Sequence, residues 1–485
     1  MSLIKSISGI RGTIGGAAGD ALTPVDIVNF TYAYCAKMKE RKKAFSGKYK
    51  VVVGKDARLS GEMVENLVVG TLIACGVDVI KIGFASTPTT ELAVTGFKAD
   101  GGIILTASHN PKQWNALKLL DENGEFLNAE QGQAILECAA SGRFDFCEVD
   151  ELGHVIEEDY VKKHIKSVLK LDFVDRCAIR RARFKVVVDA VNSVGGEIMP
   201  QLLKKLGVKV IKLNCNPTGN FAHNPEPLPA NLEELSRAVV KHKADLGISV
   251  DPDVDRLALI CEDGTPFGEE YTLVSVAEYV LAAVSSLARR KGKDVEKACK
   301  PYTFSTCSNL SSSRALRDVT ERLGGRYEAS AVGEINVVTK MKETGAVIGG
   351  EGNGGVIYPA LHYGRDAMVG IALFLSNMAH RGLRATQLKA TYPEYHIAKN
   401  KIQLSDPLLV DKVLDGVRKA FAKEDINTVD GVKISFESER KWVHLRRSNT
   451  EPIIRIYAEA PSMGAAEELA SRVIGIANDI MANEP

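Results

Sequence analysis

The sequence predicts an α/β protein in which three similar strand–helix units are followed by a smaller α+β module. Three observations carry this. Short Val- and Ile-rich apolar runs alternate with helical stretches, the rhythm of a parallel sheet with crossover helices. The rhythm recurs in three successive units of roughly 110–150 residues, an ordinary domain size, without clear residue-level self-similarity. From about residue 390 it gives way to alternating strands flanked by helices, which suits an antiparallel sheet. The 485 residues exceed what one core can organise. At roughly 100–200 residues per domain, three or four are expected, and we place them at 1–150, 151–266, 267–385 and 390–485.

In the first unit, Thr23-Pro24 marks a helix start, with threonine as cap and proline at the first helical position. Lys50 to Arg58 is a buried strand that ends in charged residues. A helix from about Gly61 to Cys75 leads to a strand at Val77–Gly83. Pro88 to Gly96 is helical, and Gly102-Ile103-Ile104-Leu105 is a strand. The second unit has strands at Phe184–Asp189, Val208–Leu213 and Leu246–Val250, with helices ending near Leu206 and His242. The third has a long helix at about Tyr271–Leu287, a basic stretch Arg289–Lys300, a strand at Tyr302–Thr306, a helix at Ser311–Leu323 and a buried strand at Ala346–Gly350. The last module has a helix at Pro407–Ala422, strands at Val432–Glu437, Trp442–Leu445 and Ile453–Tyr457, and a helix at Gly464–Met481.

The hydrophobic fraction of 45% and charged fraction of 25% are those of a soluble globular chain. Lys+Arg 62 against Asp+Glu 61 gives a net charge of +1, which argues against nucleic-acid and membrane partners. No run approaches the ~18 apolar residues of a membrane span, and the N-terminal residues lack the apolar core of a signal peptide. Nine scattered cysteines with no CxxC read as reduced packing residues of a cytoplasmic protein.

Four polar loops carry the chemistry. Thr106-Ala107-Ser108-His109-Asn110-Pro111 leaves a buried strand and turns at a Ser-His pair, where α/β folds keep their chemistry. Asp251-Pro252-Asp253-Val254-Asp255-Arg256 sets three carboxylates at alternate positions. Their repulsion calls for a hard divalent ion, and octahedral Mg²⁺ suits three carboxylates plus phosphate oxygen and water. An EF-hand is rejected, although Glu262 falls at the twelfth position. Arg256 stands where that loop needs glycine, and 257–260 reads as a strand. Gly349-Gly350-Glu351-Gly352-Asn353-Gly354-Gly355 offers a carboxylate and an amide among glycines, suited to sugar hydroxyls. Arg446-Arg447-Ser448-Asn449-Thr450-Glu451-Pro452, with Arg455, suits a bidentate phosphate grip.

Taken together and in this order, the four loops resemble those of the α-D-phosphohexomutase family: phosphoglucomutases, phosphomannomutases and phosphoglucosamine mutases. The resemblance spans the chain. It implies three α/β domains of one type with mixed sheets plus a C-terminal α+β domain, in a heart shape around a central cleft. It implies that Ser108 carries a phosphoryl group and that Asp251, Asp253 and Asp255 bind Mg²⁺ together with it. Arg11, His109, Lys118 and Arg256 would surround the reacting phosphate, with Lys118 as general acid/base. Glu351 and Asn353 would orient sugar hydroxyls. Arg447, Ser448, Asn449, Thr450 and Arg455 would hold the other phosphate. The implied reaction interconverts hexose 6-phosphate and hexose 1-phosphate through a bisphosphate, with hexose 1,6-bisphosphate as activator and a sugar phosphate as the small-molecule partner. A monomer or homodimer is expected.

Two departures from the family pattern stand out. Many relatives have serine and then Gly-His where this chain has Asn353-Gly354-Gly355; His362 is a candidate substitute for the missing histidine, and Asn353 in place of serine is typical of a subgroup whose sugar preference is less uniform. Ser305-Thr306-Cys307-Ser308-Asn309-Leu310 is closer to the phosphoglucosamine mutases, which points to glucosamine phosphate rather than glucose or mannose phosphate. From other classes, a phosphatase or esterase using Ser108 and His109 lacks a G-x-S-x-G elbow, and adjacent residues on an extended chain point apart. A non-catalytic sugar-phosphate binder is a third reading. A kinase lacks its Walker-type loop.

Overall fold

The computed structural model describes residues 2–6, 9–42, 47–403, 409–448 and 453–482. They form two compact units: 1–272 with 353–386, and 273–352 with 387–485. The segment 267–385 expected as one domain therefore does not stay in one unit, since its last part packs with the N-terminal half.

The first sheet of the first unit runs in the order Ile4–Ser6, Gly9–Thr13, Trp114–Leu120, Gly101–Leu105, Lys50–Lys55, Asp78–Phe84, Val155–Glu157. Its centre is parallel, as expected from the crossover helices Gly61–Ala74 and Thr87–Phe97. Trp114–Leu120 pairs antiparallel with Gly101–Leu105, so the sheet is mixed. The reason is length: residues 106–113 are too few for a crossover, which takes about a dozen. Val155–Glu157 joins this sheet, so the expected boundary at 150 falls short of its edge. Side-chain alternation divides the core. Val51, Val53, Ile103 and Leu105 pack with the helix Pro24–Arg41, and Val52, Ile104 and Leu120 pack on the other face. The Thr23 cap is a full capping box with Asp26.

A second sheet repeats the plan, in the order Leu257–Cys261, Leu246–Val250, Lys185–Asp189, Lys209–Leu213. Lys185–Asp189 is again flanked by parallel partners, and Leu257–Cys261 is again the antiparallel return. In the second unit, Thr303–Asn309 lies between parallel Arg326–Ser330 and Ala346–Glu351, the same central trio. The Ser108, Asp251–Asp255 and Glu351–Gly354 loops therefore all follow the third strand of their repeat. The C-terminal sheet is antiparallel throughout, in the order His396–Gln403, Ile453–Ala460, Lys441–Arg447, Val432–Phe436, Asp425–Asn427. It packs against the helices Leu409–Ala420 and Met463–Ala482.

Among the described residues one helix, Glu269–Lys291, is long and apolar enough by length and composition to cross a membrane, although it holds no unbroken run of ~18 apolar residues. Its apolar side chains are spent on the core: Leu273, Val276, Ala277, Val280 and Leu281 are almost fully buried. All nine cysteines are free thiols.

Candidate active site: a serine against an acidic triplet

Ser108 and Asp251 are far apart in the chain, yet Ser108 Oγ donates to Asp251 Oδ2 at 2.7 Å. The backbone at Ser108 is left-handed, with φ of 48°, uncommon for a residue with a Cβ and typical of functional turns. Its amide donates to Thr106 Oγ1 at 3.0 Å, and Thr106 Oγ1 donates to Asp56 Oδ2 at 2.6 Å. His109 Nδ1 lies 3.4 Å from Ser108 Oγ. The bend at Ser108 brings the two neighbours nearer than an extended chain would. The shorter bond is nevertheless the one to Asp251, which weighs against a Ser-His hydrolase dyad. Burial, with Arg256 and Arg11 close by, pushes the His109 imidazolium down to about 2, so the ring is neutral.

The residue that shapes this loop is one that the sequence reading passed over. Arg58 bonds Asp56 Oδ2 through Nε at 3.0 Å. Its remaining nitrogens donate to the carbonyl oxygens of Ser108, Asn110 (2.7 Å), Pro111 (2.8 Å) and Trp114 (2.9 Å). A planar fork of donors can serve several carbonyls at once. Phe221 covers the guanidinium at 5.1 Å. Asp56 is buried, which pushes its carboxyl up, while Arg58 and Thr106 draw it back.

The acidic triplet sits in the hairpin turn between Leu246–Val250 and Leu257–Cys261, so no helices bracket it and the EF-hand rejection stands. Glu262 instead bonds Thr386. Val254, at the tip, has φ of 61° although β-branched, which is strained backbone. All three aspartates are fully buried. Asp251 Oδ1 accepts the amides of Asp255 and Arg256, both at 3.2 Å. Asp253 Oδ2 accepts from Thr87 Oγ1 and from Lys118 Nζ, both at 2.7 Å. Thr87 opens the helix Thr87–Phe97, whose positive N-terminal end therefore faces this carboxylate. Asp255 Oδ2 accepts from Arg365 Nη2 at 2.6 Å, with Lys118 Nζ 3.7 Å away.

Asp253 and Asp255 are thus each anchored by Oδ2 alone, whereas Asp251 is held through both oxygens. Asp253 Oδ1 and Asp255 Oδ1 have no hydrogen-bond partner among the described residues. One ligand atom from each aspartate lies within 4.8 Å of the others. Two orphaned buried oxygens cost free energy unless a cation meets them, and an all-oxygen donor set fits a hard divalent ion. The titration pattern carries the same message. Burial, then the charges of Asp255 and Asp253, hold the Asp251 carboxyl well above its ordinary range. Burial pushes Asp253 the same way, but Lys118 outweighs it and leaves that carboxyl low. Burial pulls the Lys118 ammonium down and the two aspartates more than reverse this, so Lys118 is a cation. Arg11 lies within the field of Asp253. Arg256 reaches Asp255 Oδ1 only at 3.9 Å and Glu226 at 3.8 Å.

The other expected residues fall as follows. In the second unit, Glu351 is buried and accepts from Asn309 Nδ2 at 2.9 Å and from the Gly333 amide at 3.3 Å. In the first unit, Asn353 Oδ1 accepts the Gly355 amide at 3.2 Å. In the C-terminal sheet, Arg447 pairs with exposed Asp411 at 3.3 Å, Ser448 is buried, and Arg455 sits opposite Arg446. Asn449 and Thr450 lie outside the described residues.

His362 does not present a ring nitrogen to this site. Nδ1 meets Glu91 Oε2 at 3.1 Å and Nε2 meets Asp366 Oδ2 at 3.4 Å, with His164 Nε2 on the same oxygen at 2.9 Å. Burial lowers the His362 imidazolium and the two carboxylates reverse it, raising it to about 10. Its contribution to stability is complete below the unfolded value near ~6.5 and is lost as pH rises through about 10. The thermal midpoint of the wild type should fall over that range. His362→Gln should abolish that slope and cost about 3–5 kcal/mol at neutral pH, as breaking a buried pair does. An unchanged alkaline slope in the variant would contradict this.

Matches to known proteins follow the same architecture. Models of phosphoglucomutase/phosphomannomutase α/β/α domains I, II and III match residues 3–145, 158–264 and 279–395, and that of the C-terminal domain matches 401–476. A phosphoglucomutase/phosphomannomutase of Thermococcus kodakarensis is 35% identical over 94% of this chain and 96% of its own. A protein of Methanopyrus kandleri named "Probable phosphoglucosamine mutase" is 32% identical over 97% and 96%. The crystal structure of a phosphoglucomutase/phosphomannomutase family protein from Burkholderia thailandensis superposes with a TM-score of 0.81 at 24% identity, covering 99% of both chains.

Proposed function

We infer that this chain, which belongs to the phosphoglucomutase/phosphomannomutase family of α-D-phosphohexomutases, interconverts hexose 6-phosphate and hexose 1-phosphate through phosphoserine at Ser108. The single observation that carries this is the 2.7 Å bond between Ser108 Oγ and the acidic triplet. Asp251, Asp253 and Asp255 would hold Mg²⁺, with Oδ1 of Asp253 and Asp255 as ready donors. When bound, the ion neutralises the charge that a phosphoryl group brings to Ser108.

The chain's own residues supply the rest. Phosphoryl transfer needs chiefly positioning and charge stabilisation. Arg58 fixes the loop so that Oγ faces the triplet. In one half-reaction the phosphorus–Oγ bond breaks while a phosphorus–oxygen bond to the sugar forms, and the sugar hydroxyl gives up its proton. In the other, Ser108 Oγ takes the second phosphate of the bisphosphate and the freed sugar oxygen is protonated. The neutral amine of Lys118 would take the proton of the attacking hydroxyl and become the ammonium that Asp253 and Asp255 hold while Ser108 is unphosphorylated, and that ammonium then returns the proton to the freed sugar oxygen, so that the proton balances over one turnover. Arg11 and Arg256 offset the anionic charge, and neutral His109 offers a hydrogen bond. Glu351 and Asn353 accept from sugar hydroxyls. Arg447, Ser448, Asn449, Thr450 and Arg455 hold the non-reacting phosphate in either orientation. Hexose 1,6-bisphosphate primes the serine. Free thiols throughout suit a cytoplasmic setting.

Glucosamine phosphate is the proposed sugar, supported by the 305–310 stretch and by the name of the Methanopyrus kandleri relative. Relative turnover on glucosamine, glucose and mannose 1-phosphates, with catalytic hexose 1,6-bisphosphate, tests it. The highest kcat/KM is expected for glucosamine 1-phosphate, and a higher value on either other sugar would reassign the substrate. Release of inorganic phosphate at turnover rates without isomerisation would favour a phosphatase instead.

A further inference from the structure

We propose that Arg365 is a positioning residue for the cation site and that Gly355 is glycine in order to make room for it. This rests on reading the Asp251–Asp253–Asp255 triplet as that site. Arg365 is 7% exposed, and its Nη2 donates to Asp255 Oδ2 at 2.6 Å. That bond fixes which oxygen of Asp255 is committed. The other, Oδ1, is left without a hydrogen-bond partner among the described residues. The guanidinium therefore turns a carboxylate with two equivalent oxygens into a single oriented ligand.

Two structural facts hold Arg365 in place. The next residue, Asp366, caps the helix Ala367–Arg381 by accepting the amides of Met368 at 2.7 Å and Val369 at 3.3 Å. Its second oxygen is bonded to His164 and His362. The backbone at 365 is thus pinned from one side. On the other side Arg365 forms a bridge with Ile357, which lays its side-chain stem across Gly355. A Cβ at 355 would lie 2.4 Å from Arg365 Cδ and 3.1 Å from Cγ. The first contact forces a shift and the second is tight, so a side chain there must move the arginine stem; it would also crowd Asn353 Oδ1, 3.0 Å away. Gly355 is not at positive φ, so its backbone would accept alanine. Space, not conformation, demands glycine.

Gly355→Ala removes no polar group, yet it should mimic loss of Arg365. The test is Mn²⁺ binding to the full-length protein, measured by calorimetric titration with thermal midpoints as a control for folding. Arg365→Met should weaken binding about 10–100-fold, the usual cost of removing an outer-shell partner. Gly355→Ala should weaken it in the same range, and the double variant should bind no worse than the weaker single one. Gly355→Ala carries the test if Arg365→Met fails to fold. Mn²⁺ affinity within twofold of wild type in either single variant, or additive losses in the double, would overturn the proposal while wild-type binding leaves the cation site standing. A wild type that binds no Mn²⁺ would overturn both.

Discussion

Ser108→Ala is expected to lower mutase turnover by roughly 10⁴-fold or more, as removal of a nucleophile does in other enzymes, while the protein stays folded. The loop does not depend on Oγ for its shape. The Ser108 amide still reaches Thr106 Oγ1, and its carbonyl still accepts from Arg58. The left-handed φ of 48° strains alanine as it strains serine. The thermal midpoint should move by no more than about 2–4 °C. Initial rates, read together with the thermal midpoint, decide the matter. A variant with wild-type turnover would remove Ser108 from the reaction.

The second large effect is expected at Arg58, a residue with no direct part in the chemistry. Arg58→Met keeps the apolar stem and removes one ion pair and four bonds to loop carbonyls. It also strands Asp56 in a fully buried position, where breaking such a pair costs about 3–5 kcal/mol. Turnover should fall about 10²-fold, because a displacement of ~1 Å at the nucleophile is enough for that. Arg58→Lys should recover little, since a point charge cannot span several carbonyls at once. Denaturant unfolding with steady-state kinetics on both variants checks this. Full stability and full turnover in Arg58→Met would refute the clamp.

The Ser108, Asp251–Asp255 and Glu351–Gly354 loops stood out in the sequence because each follows a buried strand, and such strands announce themselves as runs like Val51-Val52-Val53. Of the return strands, Leu257–Cys261 was legible as an apolar run and Trp114–Leu120 was harder to read. Trp114–Leu120 carries Asn115 and Lys118 within an apolar run, because a central strand here points its lysine at Asp253 rather than at solvent. The helices Glu334–Thr344 and Ala367–Arg381 went unread for opposite reasons. The first is mostly polar, and the second is buried on nearly every face, so neither shows a clear stripe. The supporting residues were the least visible. Arg58 and Arg365 look like ordinary surface arginines until the fold brings Pro111 and Asp255 to them. A faint signal existed in Asp56-x-Arg58 at a strand end, and another in Asp366 before an apolar run, the pattern of a helix cap. His362 was proposed from proximity to the glycine loop. Of its two carboxylate partners, Asp366 is four residues away, and Glu91 comes from the distant helix Thr87–Phe97, which no local pattern joins to it.

The most direct measurement is the phosphorylation state of Ser108 itself. Purified protein incubated with glucose 1,6-bisphosphate and Mg²⁺, digested and read by mass spectrometry, should carry one phosphoryl group on the peptide containing Ser108 and lose it on addition of excess hexose monophosphate. Asp253→Asn should label far more slowly. A phosphoryl group on another residue, or none on a protein that still isomerises sugar phosphate, would contradict the assignment of Ser108 and the triplet as one reacting site.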